Sequence, residues 1–143
     1  EQAQANELVA KHVAGANAVI TTAAIPGKPS PRLISKDMVE AMKPGSVIID
    51  LAAEGGGNCE LTEPGKEINH KGVVIYGPLN VPSMLPIDAS EMYSKNLFNL
   101  LGLFVREGEI NLDWEDEIIA SALTHDGEIR HEPTKAMIEG EAS

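Results

Sequence analysis

Aromatic residues are scarce in this sequence of 143 residues and make up only 3% of it. A hydrophobic core must therefore be built mainly from aliphatic side chains, which dominate the 43% hydrophobic share. Cysteine occurs once, at Cys59, which excludes an intrachain disulfide, and no Cys/His cluster indicates a zinc site. No hydrophobic run approaches the roughly 20 residues of a membrane-spanning helix.

Basic residues are also few, since 11 lysines and arginines stand against 22 acidic residues and the net charge is -11. A surface of this charge repels phosphate backbones, which argues against nucleic acid as a partner. The first residues are polar and lack the basic start of a signal peptide, so we expect a soluble cytoplasmic protein. Because Glu1 enters the first predicted helix with neither a cap nor an initiator methionine, we also expect a fragment or a processed form.

The hydrophobic patterns predict helices and strands that alternate along most of the chain. In chain order they are a helix at 2–14, a strand at 17–23, a helix capped by Ser35, strands at 46–52 and 72–77, and a helix at 88–105. Residues 110–131 are predicted to form two strands joined by a turn at "HDGE", and the residues from Lys135 onwards to be frayed. This order favours an α/β fold with a parallel sheet.

Three loops, at 23–31, 50–60 and 77–86, leave the carboxyl ends of the predicted strands, where parallel α/β sheets bind ligands. At the first loop, the small residues Thr22, Ala23 and Ala24 would let a flat ligand approach the backbone closely. A plain connection from strand to helix is the alternative interpretation, and the loop by itself favours that alternative.

The second loop combines two carboxylates with three consecutive glycines. Glu54 can orient a ribose, an amide or a neighbouring loop, and the run from Gly55 to Gly57 permits positive φ or close approach of a ligand. The alternative is a structural turn, in which backbone N–H groups donate hydrogen bonds to Asp50. For Asp50 the sequence favours this structural role. For Glu54 it favours the structural role and a binding role equally. Neither GxGxxG nor GxxxxGK[ST] occurs.

In the third loop, the Asn80 side chain can either bond to the carboxamide of a cofactor or hold the loop together. The four histidines have no Ser, Cys or carboxylate partner at a recognisable spacing, and Cys59 lacks an evident base. The sequence therefore predicts no catalytic residue and no metal site.

Three stretches together resemble a known family. They are "ITTAAIPGKPSPRLISKDMVEAMKPGSVIIDLAAEGGGNCELTEPG", "NVPSMLP" and "DASEMYSKNLFNLL". They closely resemble the C-terminal portion of the NAD(H)-binding alpha subunit, soluble domain I, of proton-translocating NAD(P) transhydrogenase. The related alanine dehydrogenases share the outline, but the "TTAAIPGKP" and "GGNCELTEPG" segments are more similar to transhydrogenase.

The resemblance implies the second half of a Rossmann-type parallel sheet, three parallel strands with helices, within an NAD-binding domain over residues 1–87. It implies that residues 88–143 form a long return helix and a β-hairpin that belong to the other lobe. The first loop would lie against the cofactor and the third loop on its nicotinamide side, while Glu54 aligns with the catalytic aspartate of alanine dehydrogenases. The residues predicted to contact NAD(H) are Thr22, Ala23, Ala24, Asp50, Glu54, Gly55, Asn80 and Val81.

The implied function is that of part of a component that transfers hydride from NADH to NADP+. In the intact complex this transfer is coupled to proton translocation by NADP(H)-binding and membrane components, so the chain would be peripheral to the inner membrane. The glycine turn that binds pyrophosphate in this family has no counterpart in the sequence, so we expect no complete NAD site and no activity from this chain alone. The first strand would be left as an apolar sheet edge, which predicts a homodimer that forms either through this edge or through the apolar surface around the helix at 88–105.

Two alternatives remain open at this point. One is a fragment of an NAD enzyme similar to alanine dehydrogenase. The other is a non-enzymatic module that associates with itself and binds no nucleotide.

Overall fold

The computed structural model describes residues 2–25, 27–122 and 124–140. Its contacts divide the chain into two compact units, residues 1–85 and 86–143, and each is described by itself. The first unit contains the sheet, the first two candidate loops and residues 77–85 of the third. Its elements are α1 (Gln2–Gly15), β1 (Ala18–Thr21), α2 (Lys36–Glu40), β2 (Val47–Asp50), a 3₁₀ turn (Ala53–Gly55), β3 (Glu67–His70), β4 (Val73–Tyr76) and α3 (Val81–Met84).

The sheet of the first unit has four strands in the order β1-β2-β4-β3. β1, β2 and β4 are parallel, with Ala18 opposite Val47 and Val47 opposite Val74, whereas β3 runs antiparallel to β4. The prediction of an α/β fold with three parallel strands is therefore confirmed. β3 was not predicted, because its sequence "EINH" alternates between exposed and half-buried positions and has one aliphatic residue.

The core of this unit is aliphatic, as the scarcity of aromatic residues predicts. It lies between the sheet and the helices α1 and α2. Its buried members are Val13, Ile34, Val39, Met42, Ile48, Cys59, Val73 and Ile75. Burial of this set removes apolar surface from water and is the main force that holds the helices against the sheet.

Ser35 caps α2 as predicted, since its hydroxyl accepts a hydrogen bond of 3.3 Å from the backbone N–H of Met38. The helix is short and ends at Glu40, where the carboxylate accepts hydrogen bonds from His70 Nε2 at 2.9 Å and from Lys71 Nζ at 2.6 Å. These contacts tie the end of α2 to the turn between β3 and β4.

Replacing Glu40 with glutamine is expected to lower the free energy of unfolding at neutral pH, and to lower it less in acid. Hydrogen bonds from Lys71 and then from His70 lower the pKa of Glu40 from 4.5 to about 2. A carboxyl whose pKa is lower in the folded state stabilises the fold fully above its unfolded pKa, and this contribution is lost as pH falls through the folded pKa. The difference in unfolding free energy should therefore narrow between pH 4.5 and about 2.

This difference can be measured by urea unfolding followed with circular dichroism. The matched control is Glu67→Gln, which removes an exposed carboxylate from β3 that has no hydrogen bond among the described residues. A difference between the Glu40→Gln protein and the unsubstituted chain that stays constant over this pH range would contradict the prediction.

The second unit begins with α4 (Pro86–Phe104), which confirms the predicted long helix. The other elements of this unit are β5 (Val105–Arg106), β6 (Glu109–Ile110), α5 (Glu117–Ala122), β7 (Thr124–His125), β8 (Glu128–Ile129) and α6 (Glu132–Glu139). No helix among the described residues combines the length and the apolar character needed to cross a membrane. The predicted assignment of residues 88–143 to another lobe stays a prediction.

Part of the prediction for this unit is wrong. The segment expected to be the first hairpin strand forms α5 instead, because Asp116 Oδ1 accepts hydrogen bonds from the N–H groups of Ile118 and Ile119 and so caps a helix. The predicted turn at "HDGE" is confirmed, with Asp126 and Gly127 both at positive φ as a tight hairpin requires.

The prediction that the end of the chain is frayed is wrong for residues 135–140. Residues from Lys135 to Glu139 belong to α6, and Gly140 ends the helix in a left-handed conformation. The remaining three residues of that predicted segment, 141–143, lie outside the described residues.

Candidate functional site

The three candidate loops lie side by side at the carboxyl ends of the parallel strands. β1, β2 and β4 are parallel neighbours in the sheet, so their carboxyl ends at Thr21, Asp50 and Tyr76 point the same way. We call these three strand ends and the loops that leave them the rim. It is where ligands bind in open parallel sheets.

Asp50 holds the second loop together from inside. It is completely buried, and both of its carboxylate oxygens accept hydrogen bonds from the surrounding chain, at distances of 2.6 to 3.1 Å. The donors are the N–H groups of Ala52, Asn58 and Cys59 and the hydroxyl groups of Thr21 and Thr62. These contacts favour the role of an internal anchor, the alternative weighed for Asp50, over direct contact with a ligand.

The electrostatics of Asp50 follow from these contacts. Burial by itself raises the pKa of a carboxyl, but the hydrogen bonds from Cys59, Thr62, Thr21 and Ala52 outweigh it and lower the pKa of Asp50 below 3.8. Asp50 is therefore ionised at neutral pH, and among the described residues its charge is stabilised by the dipoles of neutral hydrogen-bond donors.

Asn58 links the second loop to the first. Its side chain is completely buried and accepts a hydrogen bond of 2.9 Å from the N–H of Ala23. It donates hydrogen bonds of 2.8 Å to the carbonyl groups of Ala23 and Pro31. The amide of Asn58 therefore joins the backbone that directly follows β1 to the glycine loop.

Glu54 links the second loop to the third. Its Oε1 accepts a hydrogen bond of 2.6 Å from the backbone N–H of Asn80. Asn80 has a left-handed conformation, with φ of 50° and ψ of 48°, and directly precedes α3. The structure therefore brings these two predicted residues together, and the carboxylate of Glu54 is engaged in orienting a neighbouring loop.

The other predicted site residues occupy the surface of the rim. Thr22 and Ala24 are exposed, Ala23 and Val81 are half-buried, and Gly55 is exposed on one side. On its other side, Gly55 accepts a hydrogen bond of 2.8 Å from the N–H of Ser30 through its carbonyl oxygen. A Cβ at Gly55 would collide with the Ser30 hydroxyl, so a side chain there would displace this hydroxyl from its hydrogen bond to the Ala52 carbonyl.

Cys59 is unsuited to nucleophilic chemistry, as the sequence predicts. Its side chain is completely buried in the core, and burial raises the pKa of the thiol. Among the described residues, no group of three or more His, Cys, Asp or Glu side chains could hold a metal ion.

Sequence reasoning missed Asn58, Thr21 and Thr62 as the residues that organise the rim. Asn58 lies 35 positions from Ala23 along the chain, so no local pattern connects them. The available signal was a polar residue, Asn58, between the glycines and the buried Cys59.

Comparisons with known proteins agree with this architecture. A sequence profile of the family described as alanine dehydrogenase/PNT, C-terminal domain, matches residues 2–132. NAD(P) transhydrogenase subunit alpha from Haemophilus influenzae is 50% identical over 129 residues, which cover 87% of this chain and 25% of that protein.

Two solved structures have similar folds. The crystal structure of transhydrogenase from Sinorhizobium meliloti matches with a TM-score of 0.70 at 44% identity, over 88% of this chain and 35% of that one. An L-alanine dehydrogenase matches with a TM-score of 0.74 at 26% identity, over 96% of this chain and 39% of that one. The chain thus spans between 25% and 39% of the length of these relatives.

Proposed function

The chain belongs to the alanine dehydrogenase/PNT C-terminal domain family, and from this premise we propose that it forms part of the NAD(H)-binding component of an NAD(P) transhydrogenase. The observation that carries the proposal is the 50% identity with a transhydrogenase alpha subunit over most of the chain. The lower identity with the alanine dehydrogenase structure, 26%, makes that activity the weaker candidate.

The rim suits a flat polar ligand such as a nucleotide. Small exposed side chains at Thr22 and Ala24 leave the backbone after β1 open to close approach. The left-handed Asn80 directs the third loop, and its side-chain amide has no hydrogen-bond partner among the described residues. We propose that Thr22, Ala23 and Ala24 line one side of the cofactor and that Asn80 and Val81 line its nicotinamide side.

The chemistry of such a site would reside in the cofactor, which supplies the hydride when bound. The residues of the chain would bind the cofactor and orient it. Glu54 accepts a hydrogen bond from the N–H of Asn80, which supports a positioning role for its carboxylate. Asp50 and Gly55, also predicted to contact the cofactor, would act through the shape of the second loop.

The rest of the function is proposed from the relatives, because this chain covers only 25% of the Haemophilus influenzae subunit. We propose that residues outside this sequence, or another chain, complete the dinucleotide site. In the complete assembly, NADP(H)-binding and membrane components would be the partners, the site would be peripheral to the inner membrane, and hydride transfer from NADH to NADP+ would be coupled to proton translocation.

We also propose that two copies of the chain associate. β1 forms one edge of the sheet, and no strand among the described residues pairs with its outer side. Ile20 on this strand is 67% exposed, which adds an apolar side chain to an unpaired edge.

A titration with NADH, monitored through the backbone amide signals in NMR spectra, tests the proposal residue by residue. At up to about 10 mM NADH, which reveals affinities as weak as about 1 mM, we expect saturable shifts at the amides of Thr22, Ala24 and Asn80. Light scattering on the same sample measures the proposed homodimer, and a monomer at micromolar concentration would contradict that part.

Two substitutions of exposed alanines make the titration specific. Ala24→Trp places a bulky side chain on the rim and should abolish the NADH-dependent shifts. Ala122→Trp adds the same ring to α5 in the second unit and should leave the shifts unchanged. Absence of saturable shifts in the unsubstituted chain, or equal effects of the two substitutions, would count against the proposed site.

A further inference from the structure

We infer that Asn58 is a positioning residue, which sets the conformation of the Thr22–Ala24 backbone at the rim without touching a ligand. This inference rests on the proposed function, because it concerns how that site is shaped. It goes further because it assigns a role in cofactor binding to a residue outside the predicted contact set.

The Asn58 side chain continues the sheet where the strand pairing ends. The last backbone bond from β2 to β1 runs from the N–H of Leu51 to the carbonyl of Thr21, at 2.8 Å. Beyond it, the Asn58 amide bonds to both the N–H of Ala23, at 2.9 Å, and the carbonyl of Ala23, at 2.8 Å. A neighbouring strand would pair with Ala23 through the same two groups.

The backbone of Asn58 is itself held in place by three hydrogen bonds. Its N–H donates a hydrogen bond of 2.7 Å to Asp50 Oδ2. Its carbonyl oxygen accepts hydrogen bonds from Leu33 at 2.8 Å and from Ile34 at 3.0 Å. Asp50 therefore positions Asn58, and Asn58 in turn positions Ala23. The exposed neighbours of Ala23, Thr22 and Ala24, are placed as a consequence.

Only an amide of this length satisfies both groups of Ala23 at once. Aspartate has the same shape but no donor for the carbonyl groups of Ala23 and Pro31, and it would add a second buried carboxylate beside Asp50. Serine is too short to reach both groups, so Asn58→Ser removes the link while it leaves a cavity that water can fill.

The test separates positioning from general stability with a matched pair of variants of the full chain. Asn58→Ser removes the link at the rim, whereas Val73→Ala removes buried methyl groups at the amino end of β4, the end of that strand away from the rim. Urea unfolding first establishes that both proteins are folded and how much stability each has lost. NADH titration and amide hydrogen exchange are then measured on each by NMR.

We expect Asn58→Ser to weaken NADH binding by about tenfold or more, since small misplacements of a binding element have effects of this order. We also expect faster exchange of the Ala23 amide, while Val73→Ala changes neither the affinity nor this amide at a comparable loss of stability. If Asn58→Ser does not fold, Asn58→Gln, which keeps the amide but lengthens the side chain, takes its place with the same expectations.

The outcomes distinguish this inference from the proposed function. If the unsubstituted chain binds NADH and both Asn58 variants bind it equally well, the inference is overturned and the proposed function stands. Equal losses of affinity in Val73→Ala and Asn58→Ser would also overturn the inference. They would show that the loss of affinity follows from lower stability and not from the position of Asn58. If the unsubstituted chain shows no saturable binding, the proposal that its own loops contact NADH fails and the inference fails with it, whereas membership of an NAD(H)-binding component completed by other residues does not depend on this result.

Discussion

Replacing Asp50 with alanine is expected to lower the free energy of unfolding by about 3–5 kcal/mol, because several buried donors lose a charged hydrogen-bond acceptor at once. The carboxylate is completely buried and accepts hydrogen bonds from three backbone N–H groups and two threonine hydroxyls. Without it, these donors are left unsatisfied, and each buried unsatisfied group costs about 1–3 kcal/mol unless water reaches it. Urea unfolding followed by circular dichroism measures the loss.

Asp50→Asn separates charge from shape. It keeps the size of the side chain but turns an NH₂ group toward donors, so we expect a loss of about 2–4 kcal/mol at neutral pH. Because the folded pKa of Asp50 is below 3.8, its ionised form stabilises the fold fully above that value. The difference between this variant and the unsubstituted chain should therefore shrink as the pH falls below 3.8.

The control for both variants is Asp37→Asn, on the exposed side of α2. Its carboxylate has no hydrogen-bond donor among the described residues, and its loss should change the free energy of unfolding by less than about 1 kcal/mol. An Asp50→Ala protein as stable as the Asp37→Asn protein would contradict the role of Asp50 as the anchor of the rim.

Gly57→Ala is expected to be the second most damaging change, with a loss of about 2–5 kcal/mol from backbone strain and overpacking together. Gly57 has φ of 87°, a conformation that side chains rarely adopt. A Cβ there would lie 2.7 Å from Asp50 Oδ2 and 2.8 Å from the Cβ of Thr62, within the hydrogen-bond network itself. Thermal or urea unfolding of the variant measures the effect.

Gly56→Ala is the matched control, because the neighbouring glycine also has positive φ, at 99°, but a Cβ there meets nothing within 4 Å. Its expected loss is the backbone strain alone, about 1–2 kcal/mol. Equal losses at the two positions would show that close packing against Asp50 and Thr62 contributes nothing.

The sequence predicted the parallel part of the sheet because β2 and β4 are short, continuous aliphatic runs bounded by glycine and proline. Strand β3 escaped prediction because it is held by pairing with β4 and carries little hydrophobic signal of its own. Helix α5 was mistaken for a strand because Ile118 and Ile119 are adjacent, and a short apolar run does not distinguish the two structures.

The candidate site was predictable only in part. Its location followed from the order of strands and loops, and the carboxylate of Asp50 was visible as a buried group that needed donors. The partners of these groups could not be read from the sequence, because the contacts of Asp50 with Thr21 and of Asn58 with Ala23 join residues 29 and 35 positions apart. Whether the predicted residues contact NAD(H) stays a prediction that the titration tests.

The cross-linking of the rim limits how the protein can be altered or recombined. Asp50 and Asn58 tie together backbone segments that come from different parts of the chain. A designer who grafts the glycine loop onto another scaffold would have to carry Thr21, Asp50, Asn58 and Thr62 with it as one set. For the same reason, natural variation at any of these four positions should be accompanied by compensating changes at the others.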